Sequence, residues 1–287
     1  MAVFTEHGCE HDVTNLAMGI IKYLSDNYGK DHRITNLLDK TEVWIVPLMN
    51  PDGSAYDLSG SVAPFSWRKN RRPTGPRTCG VDLNRNWEYN LSASIPKDQM
   101  KRLSDRESCF FGGDAPFSEA ETRAVRDFLL NHPNIRVFMD YHSGFAGFMQ
   151  GGVVCQAGRP SVDNVITDIG MLCEGIVEPF ADALTDPEDK RPGFLVANRA
   201  DSAELLRQRV PLYLKPFVPA GMFQEPGTAV RYVGDQLGIL AVGIEIFRDR
   251  DFWNHLPDSQ DRMLKSQIRG LLFLLDALAE KHAADQE

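Results

Sequence analysis

The stretch Leu237-Gly238-Ile239-Leu240-Ala241-Val242-Gly243-Ile244-Glu245-Ile246-Phe247 is apolar or glycine at every position except Glu245. An alternating pattern would mark a strand with one wet face. An unbroken apolar run of this length suits a strand covered on both faces, as in parallel sheets lying between helices. Upstream, residues 135–141 read as a second buried strand, ending at His142, and they follow a predicted helix. That helix opens on Ser118-Glu119-Ala120-Glu121, a capping-box pattern, and carries Val125, Phe128 and Leu129. Residues 1–5 read as a short strand. Residues 13–28 have helical spacing, with Leu16, Ile20, Ile21 and Leu24 on one side. Residues 43–48 form an apolar run stopped by Asn50-Pro51-Asp52-Gly53, a strong turn signal, and residues 53–80 read as a long ordered loop. Residues 162–184 are helical in pattern, and Pro257-Asp258 opens a final helix with Met263, Ile268, Leu271, Leu272 and Leu275 inward. Strands alternating with helices predict an α/β fold around a mixed, mostly parallel sheet, in one domain spanning 1–287.

Composition agrees with a globular chain. Of 287 residues, 43% are apolar, 25% charged and 9% aromatic. The formal net charge of −9 makes the overall field a poor one for nucleic acid. No run approaches the roughly 18 apolar residues of a membrane span, and residues 1–10 lack the pattern of a signal peptide. Five cysteines (9, 79, 109, 155 and 173) are too few for a disulfide scaffold.

The polar residues at three strand ends carry the chemistry. The first strand delivers His7-Gly8-Cys9-Glu10, another delivers His142, and the last carries Glu245. Groups remote in sequence converge at strand ends in α/β sheets. Two imidazoles and a carboxylate form a three-ligand set for catalytic zinc. Taken singly, His-x-x-Glu recurs by chance and His142 suits a satisfied core histidine. Glu245 is harder to dismiss, because an ionised carboxylate in an apolar strand is costly unless paired or functional. It is the candidate general base. His11, His32, His132, His255 and His282 lie in polar surroundings and read as surface residues. A basic cluster, Trp67-Arg68-Lys69-Asn70-Arg71-Arg72-Pro73, stands before Gly80-Val81-Asp82-Leu83-Asn84-Arg85-Asn86-Trp87. Its arginines suit carboxylate capture or oxyanion stabilisation. The alternatives are a solvated loop or an RNA patch, and no RNA-module signature accompanies it.

Together these motifs resemble the M14 zinc carboxypeptidases of the carboxypeptidase A and T type. His-x-x-Glu matches His7 and Glu10, and the later histidine followed by serine matches His142-Ser143. The Asn-Pro-Asp-Gly, Trp-Arg-Lys and Asp-x-Asn-Arg-Asn-Trp motifs match residues 50–53, 67–69 and 82–87. A glutamate shortly before Arg-Asp matches Glu245 and Arg248-Asp249. The resemblance implies one Zn²⁺ per chain held by His7, Glu10 and His142. It implies Glu245 as general acid–base and Arg68 as the polariser of the scissile carbonyl. Asn84 and Arg85 would clamp the free C-terminal carboxylate of a peptide or protein substrate. It also implies a twisted, mostly parallel sheet between helices.

Several departures bear on that expectation. Phe223 stands where the family has a mobile tyrosine, which removes a hydroxyl from the substrate lid. Cys9 replaces an arginine common between the ligands, and one extra residue separates Glu245 from Arg248. Family domains carry several tens of residues before the first ligand; their early strands are expected to be missing here, through truncation that exposes a sheet edge or in a short variant that covers the edge differently. A truncated chain could also have lost a secretion signal, which leaves the compartment open. Positions 79 and 109 fall near a disulfide of some secreted relatives, so a Cys79–Cys109 bridge is expected, the alternative being two buried thiols. Val230 falls at the base of the side-chain pocket, with Thr228 and Arg231 nearby, and favours an apolar C-terminal residue. Two rival readings remain: an amidohydrolase of the aspartoacylase, succinylglutamate desuccinylase or murein-peptide amidase type, and a non-catalytic zinc- or peptide-binding module. Trp67-Arg68-Lys69 and Asn86-Trp87 speak for carboxypeptidase over amidase, and Glu245 with Arg68 speaks for an enzyme over a module.

Overall fold

A computed structural model describes residues 1–63, 66–76, 78–88, 97–143, 152–155, 226–246 and 268. Five strands form one sheet: β1 (Ala2–Phe4), β2 (Ile45–Val46), β3 (Val137–Ser143), β4 (Gly152–Cys155) and β5 (Leu240–Ile246). The order is β2-β1-β3-β5-β4. Every pairing is parallel except β4 with β5, which is antiparallel. The mixed, mostly parallel α/β sheet expected from the apolar runs is therefore present.

The period of two along each strand builds two cores. Ala2 and Phe4 of β1, with Met139 and Tyr141 of β3, face one side. There they meet Val13, Leu16 and Ile20 of α1 (His11–Asn27) and Ile34 and Leu37 of α2 (His32–Lys40). Phe4 and Tyr141, paired in register, stack with ring centroids 4.3 Å apart. Val3, Phe138 and Ala241 face the other side, against Val125 and Leu129 of α5 (Ala120–Asn131) and Ala229 of α6 (Ala229–Arg231). Helices on both faces remove both apolar surfaces from water, which is why the strands read as unbroken apolar runs. Ile268 is helical and buried in the first core, in line with the final helix; the rest of that helix, and residues 162–184, lie outside the described residues.

Four local expectations need correction. Residues 50–53 do not begin a loop. Pro51 opens α3 (Pro51–Leu58), and Asn50 caps it by accepting from Gly53 N (2.9 Å). Proline tolerates the first helical position, so a turn signal and a helix start look alike in sequence. Helix α2, absent from the reading, has its own signal in Asp31, which caps Arg33 N and Ile34 N. The capping box at 118–121 is not made: α5 starts one residue later, and Glu119 uses its carboxylate on Arg72 and Asn70. Last, His11 is not a surface residue. It is half-buried between Asp57 (2.8 Å) and Ser54 (3.0 Å).

Candidate active site

The end of β1 turns abruptly to present the first ligand candidates. Thr5 has φ of 59°, a strained conformation for a β-branched residue, and is fully buried. Two residues on, His7 begins the short turn to Glu10, which precedes α1 without capping it. The carboxylate that could have satisfied the helix N-terminus faces histidines instead. Nδ1 of His7 lies 2.7 Å from Glu10 Oε1, and Nδ1 of His142 lies 3.1 Å from Glu10 Oε2. All three residues are buried. The two nitrogens and the carboxylate thus converge from β1 and β3, as their adjacency in the sheet requires.

A further carboxylate stands on the far side of each ring, hydrogen-bonded at His142 and at ion-pair distance at His7. His142 Nε2 lies 2.8 Å from Asp140 Oδ2, and His7 Nε2 lies 3.3 Å from Asp82 Oδ1. A carboxylate that fixes the outer nitrogen leaves the inner one free to donate its lone pair to a metal. Glu6 lies beyond His142 and accepts from Trp87 Nε1 (3.0 Å). Glu6, Asp140 and His142 together form a second acidic group sharing that histidine. Buried carboxylates in this number call for cations. Burial works to raise the Glu10 pKa, but His7 and His142 hold it well below the usual carboxylate range. Burial likewise opposes a charge on His142, yet Asp140 and Glu10 raise its pKa well above the ordinary value. Glu6, desolvated and beside Asp140, is pushed well up. The donor set His7–Glu10–His142, with carboxylates behind both rings, fits zinc, whose catalytic sites combine two histidines and a carboxylate.

Arg68 stands beside this cluster. Its Nη1 is 3.3 Å from His7 Nδ1, and its Nε donates to Asp82 Oδ2 (2.7 Å). Asp82 therefore steadies both a ligand candidate and the guanidinium, and the cations, Arg68 foremost, keep it ionised far below its ordinary range despite burial. Asn84 and Arg85 lie on the single helical turn Leu83–Arg85. The Asn84 amide packs 3.0 Å from His142 Nε2 and accepts from Ala229 N (3.0 Å), which brings α6 to the site. Arg85 is buried, and its Nη1 donates to the Asn84 carbonyl. Val230, half-buried on α6, packs against the second core. The other basic residues of the 67–73 cluster do structural work. Lys69 ties down the carbonyls of Arg106 and Ser108, Arg71 lies over the rings of Tyr56 and Trp67, and Arg72 pairs with Glu119 and Asp114.

In the β3–β5 register Glu245 is the partner of His142, so its backbone enters the site beside that residue; its side chain is outside the described residues, as is Phe223. Cys79 and Cys109 are not bridged: Arg71 Nη1 donates to Cys79 Sγ (2.9 Å), and the Cys109 thiol is exposed. The reading did not single out Glu6, Asp82 or Asp140 as part of the site. Asp140 interrupts an apolar strand just as Glu245 does, and that signal could have found it.

A family model described as zinc carboxypeptidase (peptidase M14) matches residues 5–153, just over half of the chain. The chain belongs to that family. A zinc carboxypeptidase of Saccharothrix mutabilis subsp. capreolus is 45% identical over 84 residues, 29% of this chain and 19% of that protein. Carboxypeptidase A4 of Mus musculus is 36% identical over 118 residues, 41% of this chain and 26% of the mouse protein. These matches span about a fifth to a quarter of the relatives' own length. In overall shape the chain is similar to thrombin activatable fibrinolysis inhibitor, with TM-score 0.68 at 20% identity, covering 98% of this chain and 64% of that one. At that identity the likeness speaks for the zinc carboxypeptidase fold alone.

Proposed function

We propose that this chain is a metallocarboxypeptidase that removes the C-terminal residue from peptides and proteins, using one zinc ion held by His7, Glu10 and His142. The observation that carries the reading is the convergence of both Nδ1 atoms on the Glu10 carboxylate, with Arg68 at 3.3 Å from the same His7 nitrogen. Zinc bound by such a set supplies Lewis acidity and brings the pKa of water toward about 7. Arg85 and Asn84 bind the free carboxylate of the substrate, which restricts cleavage to the last peptide bond. The Arg68 guanidinium donates to the scissile carbonyl oxygen as negative charge gathers there, and Asp82 keeps that guanidinium aimed. Glu245 takes the proton from the attacking water and passes it to the departing amine nitrogen. Val230 lines the side-chain pocket and favours an apolar C-terminal residue.

The substitution Glu245→Gln tests the assignment of the base. It is expected to keep stoichiometric zinc while turnover falls by about 10²- to 10⁴-fold, the usual contribution of a positioned general base. Substantial residual turnover in the zinc-loaded variant removes Glu245 from that role.

A further inference from the structure

Three guanidinium groups gather on one aromatic ring. Cζ of Arg102 lies 4.1 Å from the Phe110 centroid, that of Arg68 5.3 Å and that of Arg85 5.5 Å. Each is within reach of the ring's negative face. Backbone ties hold the grouping in place. Lys69 Nζ donates to the carbonyls of Arg106 (3.2 Å) and Ser108 (3.1 Å), and Phe110 N donates to Ser108 Oγ (3.0 Å). Asp82 N donates to the Phe111 carbonyl (2.8 Å), and Gly112 N to that of Leu103 (2.9 Å). The turn bearing Phe110 is thereby fastened to the segments of Arg68 and Arg85. It is also fastened to the last turn of α4 (Lys97–Ser104), which carries Arg102.

Asp82 compensates Arg68, while among the described residues no carboxylate pairs with Arg102. Arg85 feels the crowding. Burial first, then Arg68 and Arg102, against the opposing pull of Asp82 and Glu6, bring its pKa down to about 10. A substrate carboxylate at Arg85 leaves the Arg102 charge as a surplus at the ring.

Depth decides where that surplus acts. Arg85 is buried and Arg68 stands beside His7, whereas Arg102 is exposed. Of the three, the exposed Arg102 is the one open to the part of a peptide that leads out to solvent when its terminus is at Arg85 and its last bond at Arg68. We propose that Arg102 is a specificity residue that takes the side-chain carboxylate of an acidic residue on the amino-terminal side of the cleaved bond. Phe110 serves as the floor under that side chain. This rests on the carboxypeptidase reading for the direction of the substrate.

The test uses peptides sharing a C-terminal leucine and differing only in the preceding residue: glutamate, glutamine or lysine. Cleavage is followed with the zinc-loaded chain, and binding by calorimetry with the metal-free chain, where no turnover consumes the peptide. Glutamate is expected to be preferred over glutamine by up to about fivefold, the range of a partly exposed ion pair, in KM and Kd with kcat unchanged. Arg102→Ala is expected to erase the preference, Arg102→Lys to restore part of it, and Arg102→Glu to turn it toward lysine. Added salt is expected to weaken the preference. A preference that survives Arg102→Ala, or its absence from the unsubstituted protein in both readouts, overturns the proposal, as does failure of every peptide to bind. Arg102-dependent binding without cleavage sinks the carboxypeptidase reading and leaves Arg102 as the contact for the acidic side chain; cleavage without the preference does the reverse.

Discussion

Gly8→Ala is expected to damage the metal site through backbone contact alone. Gly8 lies between the ligand candidates His7 and Glu10, and its N donates to the Arg68 carbonyl (3.0 Å). A methyl group there would sit 2.5 Å from the Gly53 carbonyl carbon, 2.8 Å from its oxygen and 2.9 Å from its Cα. Ordinary contact between such atoms is about 3.5 Å, so the two backbones must part by about 1 Å. Both partners are main chain, and no flexible side chain can yield in their place. Overpacking of this kind costs about 1–3 kcal/mol. The shift also exceeds the roughly 0.2 Å tolerance of metal–ligand distances, so zinc affinity is expected to fall by about 10- to 100-fold. Urea unfolding and competition with a chromophoric chelator measure the two effects separately. Gly60→Ala is the control, since Gly60 has φ of 77° and open space around it. It is expected to cost about 1 kcal/mol in backbone strain and nothing in zinc affinity. Unchanged stability and unchanged zinc affinity in Gly8→Ala would refute the reasoning.

Other perturbations separate the roles of neighbouring groups. Asp82→Asn preserves shape but removes the charge that steadies Arg68 and faces His7; kcat/KM is expected to fall about 10- to 100-fold, and an unaltered value would deny Asp82 its positioning role. Glu119→Ala removes the buried acceptor of Asn70 and one of the two carboxylates that Arg72 pairs with, so it is expected to destabilise by about 1–3 kcal/mol while zinc affinity stays near normal. A joint loss of stability and zinc affinity would place Glu119 within the site. Removing zinc from the loaded chain with a chelator is expected to cost the stability that ligand binding confers, about 2.7 kcal/mol when free zinc stands at 100 times Kd. Identical thermal unfolding with and without chelator would contradict binding to the folded state.

Much of the sheet was legible because its strands are covered on both faces: the apolar runs ending at His142 and holding Glu245 became the adjacent, parallel β3 and β5. The ligand candidates were legible because His7, Glu10 and His142 fall where β1 and β3 end, and strand adjacency brings them together. What escaped the reading depends on choices that composition leaves open. Asn50-Pro51 serves equally for a turn and for a helix start, and only the Asn50 bonds to Gly53 N and to the Glu6 carbonyl settle it. Glu119 could cap a helix or answer Arg72, and the ion pair won. The support carboxylates Glu6 and Asp82 are placed by contacts between segments up to 81 residues apart, which no local pattern encodes, whereas Asp140 lies two residues before His142 on the same strand. Of the basic cluster, Arg68 turns toward the histidines while Lys69, Arg71 and Arg72 brace the loop, a division that follows from chain direction rather than residue type.

The most direct measurement offers the zinc-loaded chain two peptides identical except for a free or an amidated C-terminus, and reads product masses. The account predicts loss of single C-terminal residues from the free peptide, no reaction with the amide, and complete inhibition by a chelator. It further predicts that Arg85→Ala raises KM for the free peptide. Cleavage of both peptides alike, or none with zinc bound one to one, would contradict it.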